Sequence, residues 1–483
     1  VTISDILVVG GGFAGLSAAA ALAARGAKVT VLEAHRGAMA AFRGELLHSR
    51  GVRTLHEIGL GDVVSAGLGV DIHGFAAFEG PAEDAVVLPY PAGAVPGFGF
   101  EHLRLVSHLR HELAGRRSIA IEMGARVEEV LTERGRTVGV RCADGHAHHA
   151  PLVVGADGRH SKLRRLLGIP ADTSLLSQMV VVDLDGDLLP RAGFGHVFLG
   201  APGPVLAYPY APHKVRMCID VPLGAPVGRK AVAAYVRDTH APTVPEPLRA
   251  SMIAALERGQ FSGAANHAIY TGTCVAPGVA LVGDAGGCSH PLTATGMTSA
   301  LHDVAELAQC LADASVDQAL ERYRRRRYPF VRAREVLAHA MYEVFREAGD
   351  GALSLRAGMF RYWRAAERAR EDSMRILSGD DSRVTSFLGE YTRVMGRSLA
   401  HVWEQPDGRL RQMGRTLTAS IEGLRPLLRV VQMKGPGRSS LRGIAHRGAR
   451  ERGAEDADHA PPDRRLVVQG SDAVEDRRAN HGA

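Results

Sequence analysis

Apolar and polar positions follow three rhythms along this chain. The first is the unbroken apolar run. Ile6 to Val9, Val29 to Leu32 apart from Thr30, "PLVVG" (151–155) and "VALVG" (279–283) are such runs. They suit strands buried on both faces of a parallel sheet. The Ala-rich stretch Leu16 to Ala24, closed near Gly26, predicts a helix between the first two. The second rhythm is one of short β-like pieces broken by Gly and Pro. It covers Val70 to Leu88, Ser118 to Val154 and residues 176–222, and the last stretch predicts antiparallel strands. The third is helical: residues 102–114, one helix over roughly 229–258, a helix from about Met297, and nearly all of 331–433. From Lys434 onward apolar anchors are few, and 434–483 is read as a disordered tail. The β-α-β pieces at 1–60, 102–175 and 275–312 are therefore one α/β domain in separated segments, with a sheet domain inserted. No internal repeat interrupts this order.

Composition narrows the class. The chain has 483 residues, 46% hydrophobic and 23% charged, which is ordinary for a globular protein with two or three domains. The net charge of +6 comes largely from arginine runs in the C-terminal third, such as "ERYRRRRYPF" (321–330), read as a solvated face. No interleaved aromatics accompany them, so nucleic acid is not an expected partner. Five scattered cysteines without a C-x-x-C fit a reducing compartment. There is no secretory leader pattern and no apolar run of spanning length. The expected location is cytoplasmic, with peripheral membrane contact at most. No His, Cys or Asp group has metal-ligand spacing, so no metal is expected.

Three motifs carry chemistry. Gly10-Gly11-Gly12-Phe13-Ala14-Gly15 follows a strand and opens a helix. Gly10 suits the tight turn, Gly12 a close approach to a pyrophosphate, and Gly15 helix–strand packing. Glu33, at the end of the next strand, is placed to accept hydrogen bonds from a ribose. In "VVGADGRHSKLR" (153–164), Asp157 stands at a strand end, with Ser161 and Arg164 on the next helical turn. On its own this reads equally as an Asp-Gly turn with a helix cap. In "GDAGGCSHPLTATGM" (283–297), Asp284 emerges from a buried strand, where ligands of α/β sheets bind. Gly296 and Met297 then open a helix whose N–H groups face an anion other than the pyrophosphate. A reduced flavin carries such charge, and a helix N-terminus stabilises it by roughly 0.3–1 kcal/mol. The loop is read as the seat of a flavin ring, and FAD as the cofactor.

Together these motifs resemble the FAD-dependent monooxygenases of the p-hydroxybenzoate hydroxylase fold, and within them the squalene epoxidases. "GDAGGCSHPLTATGMT" is similar to that family's GDA-x4-HPLT-x2-GMT. "EHLRLVSHLR", "GPVLAYPYAPHKVRMCIDVP" and "VLAHAMYEVFREAGDGALSLR" are similar to its cofactor-domain helix, substrate strands and C-terminal helices. The resemblance covers about residues 4–400. It implies a Rossmann-like FAD-binding domain in discontinuous segments (1–69, 97–175 and 275–330). It also implies a mostly antiparallel substrate domain (70–96 and 176–274) and a C-terminal helical region (331–433).

By position, Gly10, Gly12, Gly15 and Glu33 would hold the ADP half of FAD, with Arg104 at the phosphates. Asp157 would support the cofactor, Asp284 its ribityl side, and Gly296 and Met297 the flavin. Pro291 would line the face where oxygen adds. Ala41 stands where the epoxidases have Arg, and Arg43 is expected to replace it. His48 and Phe75 occupy the places of a Gln and a Tyr near the flavin. His48 is read either as a donor or proton carrier beside the substrate or as a satisfied core histidine. Phe75, Phe78, Phe194, Phe198, Tyr208 and Tyr210 would roof an apolar pocket.

The implied reaction is epoxidation or hydroxylation of a lipophilic isoprenoid, polyene or prenylated or polyketide aromatic through a flavin C4a-hydroperoxide. A place in bacterial secondary metabolism is the expectation. Molecular oxygen would be a substrate, and NADPH or NADH the electron donor, directly or through a separate flavin reductase. The rivals are a flavin-dependent reductase acting on prenyl chains, a flavin halogenase, which lacks its W-x-W-x-I-P signature here, and a lipid-binding protein without flavin.

Overall fold

Four apolar runs meet in one sheet. The computed structural model describes residues 2–37, 45–81, 84–346, 349–404 and 409–424; Arg43 and the expected tail at 434–483 lie outside them. A six-stranded sheet has the order Val275–Ala276, Val279–Leu281, Leu152–Gly155, Ile6–Val9, Val29–Glu33, Ile119–Met123. All its pairings are parallel except the first. Helices Phe13–Ala23, His102–Ala114 and Gly296–Cys310 cover it, and their apolar faces share one core with the strands. The four runs are thus removed from water, and Thr30, the one polar residue inside them, is buried and hydrogen-bonded to Ser4.

A seven-stranded sheet stands against this domain. Its order is Ser262–Thr271, Ala171–Asp185, Lys214–Val221, Val205–Ala211, Gly195–Leu199, Gly74–Glu79, Val86–Pro89. It is antiparallel except that Gly195–Leu199 runs parallel to Gly74–Glu79, the join between the two separated halves of the inserted region. Residues alternate between its faces. Met179, Leu206, Tyr208 and Cys218 pack on one side. Val180, Val205, Ala207, Met217 and Ile219 pack on the other, beneath two helices.

The structure departs from the expected boundaries at three places. Ala171–Asp185 is a single 15-residue strand that crosses the expected 175/176 junction. Val316–Arg346 is one helix that runs through the expected 330/331 junction, with Pro329 inside it. The helix expected over 229–258 is two, Arg229–Thr239 and Leu248–Glu257. Pro242, Pro245 and Pro247 lie between them, and prolines cannot donate to a continuing helical ladder.

The C-terminal helices Asp350–Ala365 and Val384–Glu404 pack on each other and on the protein body, with Phe387, Tyr391, Ser398 and Val402 inward. Among the described residues, no helix is long and apolar enough to cross a membrane.

Candidate active site

A cavity of about 760 Å³ runs between the parallel sheet and the seven-stranded sheet. Gly10, Gly12, Glu33, Asp157, Asp284, Pro291, Gly296 and Met297 all line it. Three segments more than a hundred residues apart thus converge because strands Ile6–Val9, Leu152–Gly155 and Val279–Leu281 are neighbours that end together.

The glycine turn is shaped by close approach. Gly10 adopts φ +106°, and a Cβ there would lie 2.5 Å from the Ala156 carbonyl oxygen. A Cβ on Gly15 would lie 1.8 Å from the Gly10 carbonyl oxygen, so helix and turn fit only without one. Gly12 differs: a Cβ there meets no atom within 4 Å, and the same holds for Gly296. These two bare positions border the cavity itself. They open the helices Phe13–Ala23 and Gly296–Cys310, neither of which has a side-chain N-cap. Their first-turn N–H groups are left for a ligand with anionic groups at two separated points.

The acids fall into place around them. Glu33 accepts from the Gly11 N–H at 2.7 Å and from the His35 N–H and ring at 2.9 Å. Burial works against its ionisation, but the hydrogen bonds from His35 and Gly11 outweigh it and hold the carboxyl below its usual range. Asp157 uses Oδ2 to accept from the Leu163 N–H at 3.0 Å, while Oδ1 is buried with no partner. Asp284 lies 3.9 Å from Arg159 and is half-buried at the cavity wall. A dinucleotide fits this set, because it supplies donors to the orphaned carboxylate oxygen and acceptors to both helix ends.

Two candidates sit elsewhere than expected. Arg104 is exposed and does not line the cavity. His102, Leu103, Val106, Ser107 and Arg110 form the lining face of that helix, and Arg104 falls outside it by helical phase. The cation that reaches the glycine turn is Arg110, whose guanidinium donates to the Gly11 carbonyl at 3.2 Å and whose Nε is buried without a partner.

His48 is wholly buried and is not part of the lining. Its Nε2 lies 2.9 Å from the Thr293 carbonyl and therefore carries the proton, while Nδ1 accepts from the Tyr90 hydroxyl at 2.9 Å. Burial pulls its pKa down to about 4, so the ring is neutral. The core reading of His48 is the one the geometry favours: it fixes the loop that bears Pro291 and does not reach the cavity. Of the six aromatics expected to roof the pocket, only Tyr208 lines it. Phe78 and Phe198 point to the far face of their sheet, and the Phe75 ring lies tilted against His48 at 5.5 Å.

Several site-building residues carried no local signal. Asp303 accepts from the Gly283 N–H at 3.0 Å and from Arg327 at 2.9 Å. Arg327 belongs to the run read as a solvated face, yet it is buried; its neighbours Arg322, Arg324, Arg325 and Arg326 do pair at the surface. Buried Arg164 ties the second motif to the third through the Ala285 carbonyl at 2.8 Å. Glu45, also buried, accepts from the His102 N–H and pairs with Arg216 of the facing sheet. Burial raises its pKa against the pull of Arg216.

An α/β domain with a cleft that fits a dinucleotide, covered by a large sheet, suits an FAD-binding oxidoreductase. The comparisons agree: an FAD dependent oxidoreductase family model matches residues 5–53, and a squalene epoxidase model matches residues 149–405. The chain is 31% identical over 440 residues to squalene epoxidase 3 of Arabidopsis thaliana, covering 87% of this chain and 83% of that one. It is 28% identical over 412 residues to squalene epoxidase erg1 of Schizosaccharomyces pombe, covering 81% and 89%. Klebsiella pneumoniae HpxO, solved with FAD and uric acid, superposes with a TM-score of 0.65 at 22% identity over 78% of this chain and 97% of that one. The chain belongs to the squalene epoxidase family and is an FAD-dependent monooxygenase.

Proposed function

We propose that this chain epoxidises or hydroxylates a lipophilic substrate, an isoprenoid, polyene or prenylated or polyketide aromatic, in bacterial secondary metabolism. Electrons come from NADPH or NADH, directly or through a separate flavin reductase. The observation that carries this reading is the continuity of the cavity. One cavity is lined both by the bare backbone at Gly296 and by Met179, Leu206, Tyr208, Cys218 and Leu292.

Bound FAD supplies the activation of dioxygen and the transfer of one oxygen atom to the substrate. The protein does the rest. Gly10, Gly12, Gly15, Glu33 and Arg110 hold the nucleotide half, while Asp157, Asp284 and the helix end at Gly296 and Met297 hold the other. Pro291 presents a rigid, proton-free surface at the reacting face. It is set by His290, whose Nδ1 accepts from the Leu292 N–H at 3.1 Å, and by His48 beneath Thr293. The apolar wall keeps water from the reacting atoms and aims the substrate. No unengaged histidine is needed for epoxidation, since an alkene attacks without losing a proton.

The test is oxygen consumption by the FAD-loaded protein with NADPH or NADH, alone and with prenyl substrates, under ¹⁸O₂. One labelled oxygen in the product is expected. Reduction of a prenyl double bond without label would replace this reading with that of a reductase.

A further inference from the structure

We propose that Asp220 anchors a hydroxyl or N–H group on an otherwise apolar substrate. The proposal deepens the lipophilic-substrate reading and rests on it. Alternation along Lys214–Val221 turns Cys218 and Asp220 toward the cavity, while Met217, Ile219 and Val221 enter the core on the far side. Asp220 is only 2% exposed. Its Oδ1 is saturated: Ser177 Oγ donates to it, Asn266 Nδ2 lies at 3.1 Å and His290 Nε2 at 3.2 Å. His290 Nδ1 accepts from a backbone N–H, so its proton sits on Nε2 and points to the Asp220–Ser177 pair. Tyr342 stacks on that imidazole at 4.2 Å and fixes its plane. Oδ2 of the same carboxylate is buried and has no partner.

A buried carboxylate oxygen without a donor is costly, and a ligand that brings one recovers that cost. Glu45, the other buried carboxylate near the substrate sheet, is committed to Arg216 and the His102 N–H. Beyond the Asp220 cluster the wall presents Met179, Leu206 and Leu292 beside Tyr208, whose hydroxyl faces the Cys218 sulfur at 3.9 Å. A hydrocarbon body with one protic end matches that layout; a pure hydrocarbon leaves Oδ2 unmatched. The same network holds His290 and hence Pro291, so truncating Asp220 disturbs the loop as well. The discriminating experiment therefore varies the ligand.

Calorimetric titration of the full FAD-loaded chain would compare geranylgeraniol, its methyl ether and squalene. The alcohol is expected to bind about tenfold more tightly than the ether or more, as a hydrogen bond to a charged acceptor allows. In Asp220→Asn the amide can donate to the ether oxygen, and the two affinities are expected to converge within about threefold with FAD retained. Equal affinity of alcohol and ether in the wild type overturns the anchor, as does an undiminished preference in Asp220→Asn. Squalene binding as tightly as the alcohol overturns the anchor and leaves the lipophilic reading standing. Binding of none of the three overturns both.

Discussion

The nucleotide wall and the substrate wall of the cavity are held in different ways. At the nucleotide wall the glycine turn, its helix and Glu33 come from one continuous segment of about thirty residues, and the chemistry is mostly backbone N–H. At the substrate wall, Asp220 gathers Ser177, Asn266 and His290, and Glu45 reaches Arg216 across two domains. Between them lies the Asp303–Arg327 pair, which holds Gly283 in place from behind. Local backbone geometry makes the first wall tolerant of side-chain change except where a Cβ would intrude. Long-range buried pairs make the second wall sensitive to any lost partner.

The sharpest way to break that contrast is Asp303→Ala. It strands a buried guanidinium and removes the acceptor for Gly283, so a loss of about 3–5 kcal/mol is expected in chemical denaturation. A loss below about 1 kcal/mol would show that the pair is not the support described. Next comes a glycine comparison. Gly12→Ala has room in the protein itself, so its melting temperature without FAD should stay near wild type while FAD affinity falls by about a hundredfold. Gly15→Ala collides with the Gly10 carbonyl and should lower stability even without FAD. Asp284→Ala is expected to lose FAD and activity together, and full flavin content with normal turnover would remove Asp284 from the site.

A smaller effect sharpens the role of His48. Its folded pKa of about 4 lies below the ordinary value of 6.5, so the neutral form is the one folded around. The stability it contributes is complete above about pH 6.5 and is lost as pH falls toward 4, by about 3 kcal/mol in full. Melting curves of wild type and His48→Gln from pH 7 to 4.5 should differ in slope by about one proton, with turnover at pH 7.5 changed less than about threefold. Identical slopes would exclude the buried neutral ring. The smallest effect separates two arginines: Arg104→Ala should leave FAD affinity unchanged, and Arg110→Ala should weaken it severalfold.

Sequence and structure divide along the same line as the two walls. The three motifs were legible because a strand, a tight turn and a helix end place their own residues; Gly10 to Ala14, Glu33, Asp157 and Asp284 all reach one cavity. Arg104 was misplaced because a helix of thirteen residues offers several cations, and only the face turned to the sheet decides among them. Arg327 was hidden in a run of like residues, where burial of one member leaves no mark.

By itself, then, the chain order determined the parallel core, the three motifs that meet in one cleft and the family to which the protein belongs, since each is written in residues adjacent along the backbone. Only the tertiary structure decided that His48 is sealed away, that Arg110 faces the cleft, and that Asp220 keeps one oxygen unmatched. Those outcomes depend on which side chains arrive from distant segments, and pairing across hundreds of residues leaves no periodic trace in the sequence.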